Sequence, residues 1–327
     1  MLNPANQMSK KLHQIVDYVG QWFQAYREIG EPFEIYFDIE SKGQTKRLAV
    51  DHAKHDGIGA LHEISKANNW KISTVGANKP PPQIGRFKLV INLLLFFYWT
   101  RSRKNKWNFE ITKVEKDFLK ISRHVFTELE TTQLKEKSTR LKVSLNSYLF
   151  YHFNLTLNHF FTPSDRTWWM PVNMRPDLGL NTNNPELNKN YASNFTIDFD
   201  KSFNLQDTHH EIKTCLKQQR HWATWWWQLL GRYLNYDLIK ATAIKGLDNP
   251  YTGAFSNLGE WTCSEQNSNL TVYINTLKSH PVGVGAIIWN GRLNLSLRLY
   301  PSFPLQQTDL DQLMQSWKKS LFGFDSF

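Results

Sequence analysis

Two histidines, two aspartates and a glycine fall within the seven residues Asp51-His52-Ala53-Lys54-His55-Asp56-Gly57. Histidine ionises near neutrality, so such a side chain can take a proton from an attacking nucleophile and return it to a leaving group. His52 comes one residue after the strand-like run Thr45 to Val50, and a residue at a strand end is held still. The turn after it can carry Asp56 back toward the imidazole, while Gly57 lets the backbone bend sharply with no Cβ in the way. The chemistry expected here is general base catalysis by His52. His55, on the helix side of the loop, reads as solvated. The competing reading is a surface loop with two solvated histidines.

A hairpin and a helix must position this loop. Phe33, Ile35, Phe37 and Ile39 alternate with Glu34, Asp38 and Glu40, and after Ser41-Lys42-Gly43 a second run, Leu48 to Val50, leads into His52. Beyond the loop, Ile58, Leu61 and Ile64 mark the buried face of a helix that Asn68-Asn69 close. Further on, Tyr148 to Leu157 reads as a buried helix, Leu205 to Trp227 as another, and Trp289-Asn290-Gly291-Arg292 as a two-residue hairpin turn. Thr308 with Asp311 starts a last helix. The tryptophans at 222, 225, 226 and 227 read as packing or a tunnel wall, with an interfacial membrane anchor as the alternative.

The chain has 327 residues, 41% hydrophobic and 14% aromatic, ample for one large domain or two lobes. Near the start, Leu12, Ile15, Val16, Val19, Trp22 and Phe23 are spaced as an amphipathic helix, too interrupted by polar residues for a signal peptide. Two cysteines, Cys215 and Cys263, make neither a disulfide framework nor metal-ligand spacing, so no metal is expected and a reducing cytoplasm fits. Lys79-Pro80-Pro81-Pro82 marks a linker, and Thr162-Pro163-Ser164 a boundary between lobes. Leu89 to Thr100 is almost wholly apolar but too short for a bilayer, which needs about 20 residues. It is expected in the core, with a helix lying on a membrane surface as the alternative.

The net charge of +10 is uneven, since Arg86 to Arg123 holds ten Lys or Arg against three acids. Such a stretch suits coenzyme A phosphates, an acidic carrier protein or anionic lipid, or is simply a solvated face. Nucleic acid is set aside, because no recognised binding module occurs.

Asp51 to Gly57 resembles the His-His-x-x-x-Asp-Gly signature of the chloramphenicol-acetyltransferase-like superfamily, which includes condensation domains, wax-ester synthases and alcohol acyltransferases. His52 stands at the second, catalytic histidine, Asp56 and Gly57 match, and Asp51 replaces the first histidine. Three later segments are similar to the family in the same order. Asn146 matches the Thr-x-Asn-Asp stretch, with Ser147 where the acid usually stands. Pro171-Val172-Asn173-Met174-Arg175 is like the start of the family's second half, with Arg175 as the arginine that pairs with the signature aspartate. Ser256-Asn257-Leu258-Gly259 resembles the Ser-Asn-x-Gly strand end that faces the catalytic histidine.

The resemblance implies two α/β lobes, residues 1–160 and 161–327, each a mixed sheet flanked by helices, with a tunnel between them. It implies acyl transfer from a thioester, acyl-CoA or a carrier-bound phosphopantetheine, to a hydroxyl or amine acceptor. Ser256 and Asn257 would serve the oxyanion, Asp56, Gly57 and Arg175 the structure of the site, and Asn146 and Asn173 substrate binding. No bound cofactor is implied. A carrier-dependent condensation enzyme and a noncatalytic scaffold on the same fold are the alternatives, the latter because His52 lies early and shortens the first lobe.

Overall fold

A computed structural model describes residues 20–75, 85–100, 111–112, 119–158, 166–200, 202–248 and 251–323. The Leu12 to Val19 part of the first helix, the Lys79 to Pro82 linker and the Thr162 to Ser164 boundary lie outside the described residues. Helix α1, described over 20–28, precedes the hairpin of β1 (Glu34–Ser41) and β2 (Gln44–Asp51). Lys42 and Gly43 take φ 52° and 75°, the left-handed pair that closes a two-residue turn. Then come α2 (Gly57–Ala67), β3 (Ile72–Thr74), α3 (Arg86–Thr100), β4 (Lys120–Val125), α4 (Glu128–Arg140), α5 (Leu145–Leu157), β5 (Arg166–Asn173) and β6 (Ala192–Phe199). The rest of the chain forms α6 (Leu205–Lys217), α7 (His221–Leu229), a 3-10 turn (Leu230–Tyr233), α8 (Tyr236–Gly246), β7 (Gly253–Cys263), β8 (Asn269–Tyr273), β9 (Val282–Trp289), β10 (Arg292–Leu299) and α9 (Gln307–Phe322).

Two sheets flanked by helices make a mixed α/β fold. One has the order β2-β1-β8. The other runs β4-β10-β9-β7-β5-β6, with β3 against β7, and its β5–β7 and β7–β9 pairs are parallel. The division expected at residue 160 does not separate the sheets. Strands β3 and β4 from the first half lie in the larger sheet, and β8 from the second half completes the smaller one. The larger core packs Leu149, Phe150, Phe153, Leu313 and Trp317 of α5 and α9 against Val284, Leu295 and Leu297 of the sheet. Ile58, Leu61 and Ile64 of α2 join Ile35, Phe37 and Val272 in a second core.

The Asn290-Gly291 turn forms as its sequence requires, with φ 46° and 78°. The last helix begins one residue before Thr308, and it is Asp309 that accepts from the Gln306 N–H, at 2.9 Å. The expected single helix from Leu205 to Trp227 is two, broken where Gln219 takes φ 56°. The Gln218 and Gln219 carbonyls at this break both accept from the Asn92 amide of α3, at 3.0 Å each. That contact bears on a further difference: α3 is not a core helix. It meets the body of the protein through Leu89, Asn92 and Phe96, while Phe87, Val90, Leu94, Phe97 and Tyr98 are exposed. A helix apolar all round cannot be covered from one side.

Candidate active site

Backbone pairing fixes His52 at the end of β2, where its N–H donates to the Phe33 carbonyl at 3.1 Å and its own carbonyl accepts from the Asn190 amide at 2.9 Å. Phe23 and Phe33 both stack on the imidazole, with ring centroids 5.1 and 5.4 Å away, and lie 5.2 Å from each other. His52 Nδ1 lies 2.9 Å from the His55 carbonyl. A carbonyl only accepts, so Nδ1 carries the proton and Nε2 keeps its lone pair. Burial is the largest influence on this ring and pushes its pKa below the ordinary histidine value, against the opposing pull of the His55 carbonyl, Asp56 and Asp51.

Asp56 does not brace the imidazole directly, contrary to the expectation from sequence. Its Oδ1 accepts from the Gly59 N–H at 2.6 Å and so caps α2, while its Oδ2 accepts from the Tyr191 N–H at 2.8 Å. Arg175 donates to the same two oxygens, Nη1 to Oδ2 at 2.7 Å and Nη2 to Oδ1 at 3.1 Å. The guanidinium also donates to the Leu187 and Lys189 carbonyls and lies over the Tyr191 ring. Both partners are buried. The role of Gly57 also differs from expectation. A Cβ there would stand 2.7 Å from Leu258 Cδ2, so this glycine lets β7 approach the loop. Gly59 is tighter still, because a Cβ would run into the Asn188 carbonyl.

Asp51, at the position of the signature's first histidine, is engaged elsewhere. It accepts from Arg27 at 2.7 Å and from the Ala53 N–H at 3.0 Å. His55 donates from Nδ1 to the Asn188 carbonyl at 2.6 Å. Asp51 and His55 line a separate polar cleft behind the loop, with Arg27, Lys54 and Lys189.

His52 lines a cavity of about 340 Å³ between the sheets, within the range of small-molecule sites. Asp56, Gly57, Asn173, Ser256 and Asn257 line it as well. Ser256 Oγ has no hydrogen-bond partner among the described side chains and backbone, although the residue is largely buried in β7. Asn257 Oδ1 accepts from the Gly259 N–H at 2.9 Å, holding the bulge where Gly259 takes φ 82°, and this leaves the Asn257 amide N–H groups to donate. Asn173 is otherwise engaged than expected. Its Oδ1 accepts from the Arg175 N–H at 3.1 Å and Nη1 at 3.2 Å, and its amide donates to Thr182 Oγ1, so it positions Arg175. Asn146 is not brought to the cavity. It stands in the first turn of α5, beside the Ser144, Ser147 and His209 contacts, and does not line the site.

The helices close the cavity with aromatic rings: Trp22, Phe23 and Tyr26 from α1, Phe96 from α3 and Trp227 from α7. Two of the four clustered tryptophans, Trp222 and Trp225, pack in a core of their own. His280, between β8 and β9, also lines the cavity, and no spacing or motif marks it in the sequence. It stacks on Trp169 at 4.8 Å. Burial first, and then the charge that His52 can carry, push its pKa down to about 3. Both shifts favour the uncharged imidazole.

No family profile and no curated protein sequence matches the chain. Solved structures do. The chain is similar to trichothecene 15-O-acetyltransferase from Fusarium sporotrichioides, with TM-score 0.58, 11% identity, and 89% of this chain and 70% of that chain covered. It is also similar to the epimerization domain from the third module of tyrocidine synthetase B, with TM-score 0.55, 14% identity and 85% and 68% covered. The chain has the chloramphenicol-acetyltransferase-like fold. The EpoB cyclization-docking bidomain from Sorangium cellulosum shares it at TM-score 0.54 and 10% identity, with 89% of this chain but 62% of that one covered. This version of the chloramphenicol-acetyltransferase-like fold thus spans about two thirds of the length of those proteins.

Proposed function

We propose that the protein is an acyltransferase that moves an acyl group from a thioester to a hydroxyl or amine acceptor, with His52 as general base. The observation that carries this reading is the fixed tautomer of His52, whose Nδ1–H is held by the His55 carbonyl beside a cavity that it lines. Nε2 takes the proton of the acceptor as its oxygen or nitrogen attacks the thioester carbonyl carbon. The carbonyl oxygen becomes an oxyanion, to which Ser256 Oγ–H and the Asn257 amide donate. Collapse of the tetrahedral species breaks the carbon–sulfur bond, and the departing thiolate takes the proton back from His52. Asp56 and Arg175 hold the loop in place and do not touch the reacting atoms.

The donor is acyl-CoA or an acyl-phosphopantetheine on a carrier protein. A condensation enzyme would use the same residues with the carrier-bound donor. Open space beside His52 supports an enzyme over a noncatalytic scaffold, in which side chains would fill that volume. The test is thiol release from acyl-CoAs of graded chain length, and from an acylated carrier protein, against a panel of alcohols and amines. Acceptor-dependent release supports the reading, and its donor preference separates the two enzyme forms. No acceptor-dependent release from either donor would favour the scaffold.

A further inference from the structure

We infer that the helices around the cavity form a docking surface for an anionic lipid bilayer. Along α3, Phe87 is 81% exposed, Leu94 77%, Phe97 62% and Tyr98 60%, which for side chains of this size in one helix is an exposed apolar patch rather than scattered surface residues. Tyr233 after α7 is 68% exposed, and Leu238 and Ile244 of α8 extend the same character. Helices α3 and α7 are joined at this face, because Phe96 and Phe97 both pack on the Trp227 ring, at 5.3 and 5.0 Å, whereas α8 packs on α1. They are also walls of the cavity, through Phe96, Trp227 and Thr242. The apolar surface outside is therefore continuous with the apolar-walled cavity inside.

Charge identifies the occupant. Lys88 donates to the Lys217 carbonyl at 2.7 Å, Arg220 lies over the half-buried Trp99 ring at 5.1 Å and Arg232 over the exposed Tyr233 ring at 4.2 Å, so cations border this face. Helix α3 contains no acid. Of the acids on neighbouring helices, Glu211 is paired with Arg220 at 3.5 Å, and Asp237 is exposed at the start of α8. Large apolar side chains edged by lysine, arginine, tryptophan and tyrosine suit acyl chains below phosphate headgroups. A second copy of this chain, placed face to face by two-fold symmetry, would instead bring these cations together. No helix among the described residues is long and apolar enough to cross a membrane, so the contact is with one surface. This inference concerns binding alone and holds whatever reaction the cavity performs.

The test is flotation of the full chain with phosphatidylcholine vesicles, with and without phosphatidylglycerol. The expected result is flotation with the phosphatidylglycerol vesicles only, weakening as salt is raised. Phe87→Ser with Leu94→Ser should lower the bound fraction by about tenfold or more at an unchanged melting temperature, because both side chains are exposed in the free protein. Three results would each overturn the inference: a parent that stays off anionic vesicles, a double variant that floats like the parent, or a face that the same substitutions show to be a dimer contact or a carrier-protein contact without lipid binding.

Discussion

Arg175 closes on Asp56 through two hydrogen bonds of 2.7 and 3.1 Å, joining the end of β5 to the first turn of α2 across 119 residues of sequence. The pair is buried and every remaining lone pair and N–H around it has a partner: the Gly59 and Tyr191 N–H groups on Asp56, and the Asn173 Oδ1 and the Leu187 and Lys189 carbonyls on Arg175. The loop that carries His52 is thereby held at its Asp56 end.

Removing either partner leaves a buried charge without its counterpart. Asp56→Ala and Arg175→Ala should each lower stability by about 3–5 kcal/mol, and the double variant should lose less than the sum of the two. Denaturant unfolding measures this, and two single variants that unfold like the parent would show that the pair does not hold the loop.

The glycines of the loop are predicted to differ. Gly59→Ala drives a methyl group into the Asn188 backbone carbonyl and should cost about 2 kcal/mol or more. Gly57→Ala meets the end of the Leu258 side chain, which can rotate away, and should cost less. The reverse order in thermal melts would contradict the packing described between α2, the 181–190 loop and β7.

Much of this site could be read from residue types, because the chemistry needs them at short range. His52, Asp56 and the hairpin before them are local in sequence, and Arg175 is recoverable through the resemblance of Pro171 to Arg175 to the start of the family's second half. The roles of Gly57 and Asn173 were not legible, since they depend on Leu258 and on the Arg175 guanidinium, contacts made only after the chain folds back. His280 carries no local signal at all: it reaches the cavity because β8 pairs with β1 while β9 belongs to the other sheet. The outward face of α3 was misjudged for a related reason. Apolar composition states that a surface must be covered but not by what.

The histidines should make stability fall in mild acid. His280 has its pKa pushed down to about 3 and His152 to about 4, both mainly by burial, and His52, His62, His124 and His209 shift in the same direction. Because the unfolded chain binds protons near pH 6.5 and the folded one does not, this stability is present above about pH 6.5 and is lost as pH falls toward 4 and then 3. Melting temperature measured between pH 7 and 4.5 should decline, and His280→Gln with His152→Gln should flatten the decline. An unchanged slope would mean that these rings are not buried as described.

At the oxyanion position, Ser256→Ala should lower kcat by about 10²-fold with little change in KM, since the hydroxyl gains its partner only as the carbonyl oxygen becomes negative. A change confined to KM would make Ser256 a substrate contact instead.

His52 is the centre of the account, and acyl transfer by His52→Ala, measured beside the parent with the donor and acceptor found by screening, tests it most directly. The parent kcat/KM should rise with pH through a midpoint below the ordinary histidine value and then stay level, because the lowered pKa of His52 leaves Nε2 free at neutrality. His52→Ala should lose about 10²- to 10⁴-fold at pH 7 and keep the fold, as judged by its circular dichroism, while His55→Ala stays close to the parent. A folded His52→Ala variant that transfers acyl groups at the parent rate would contradict the assignment.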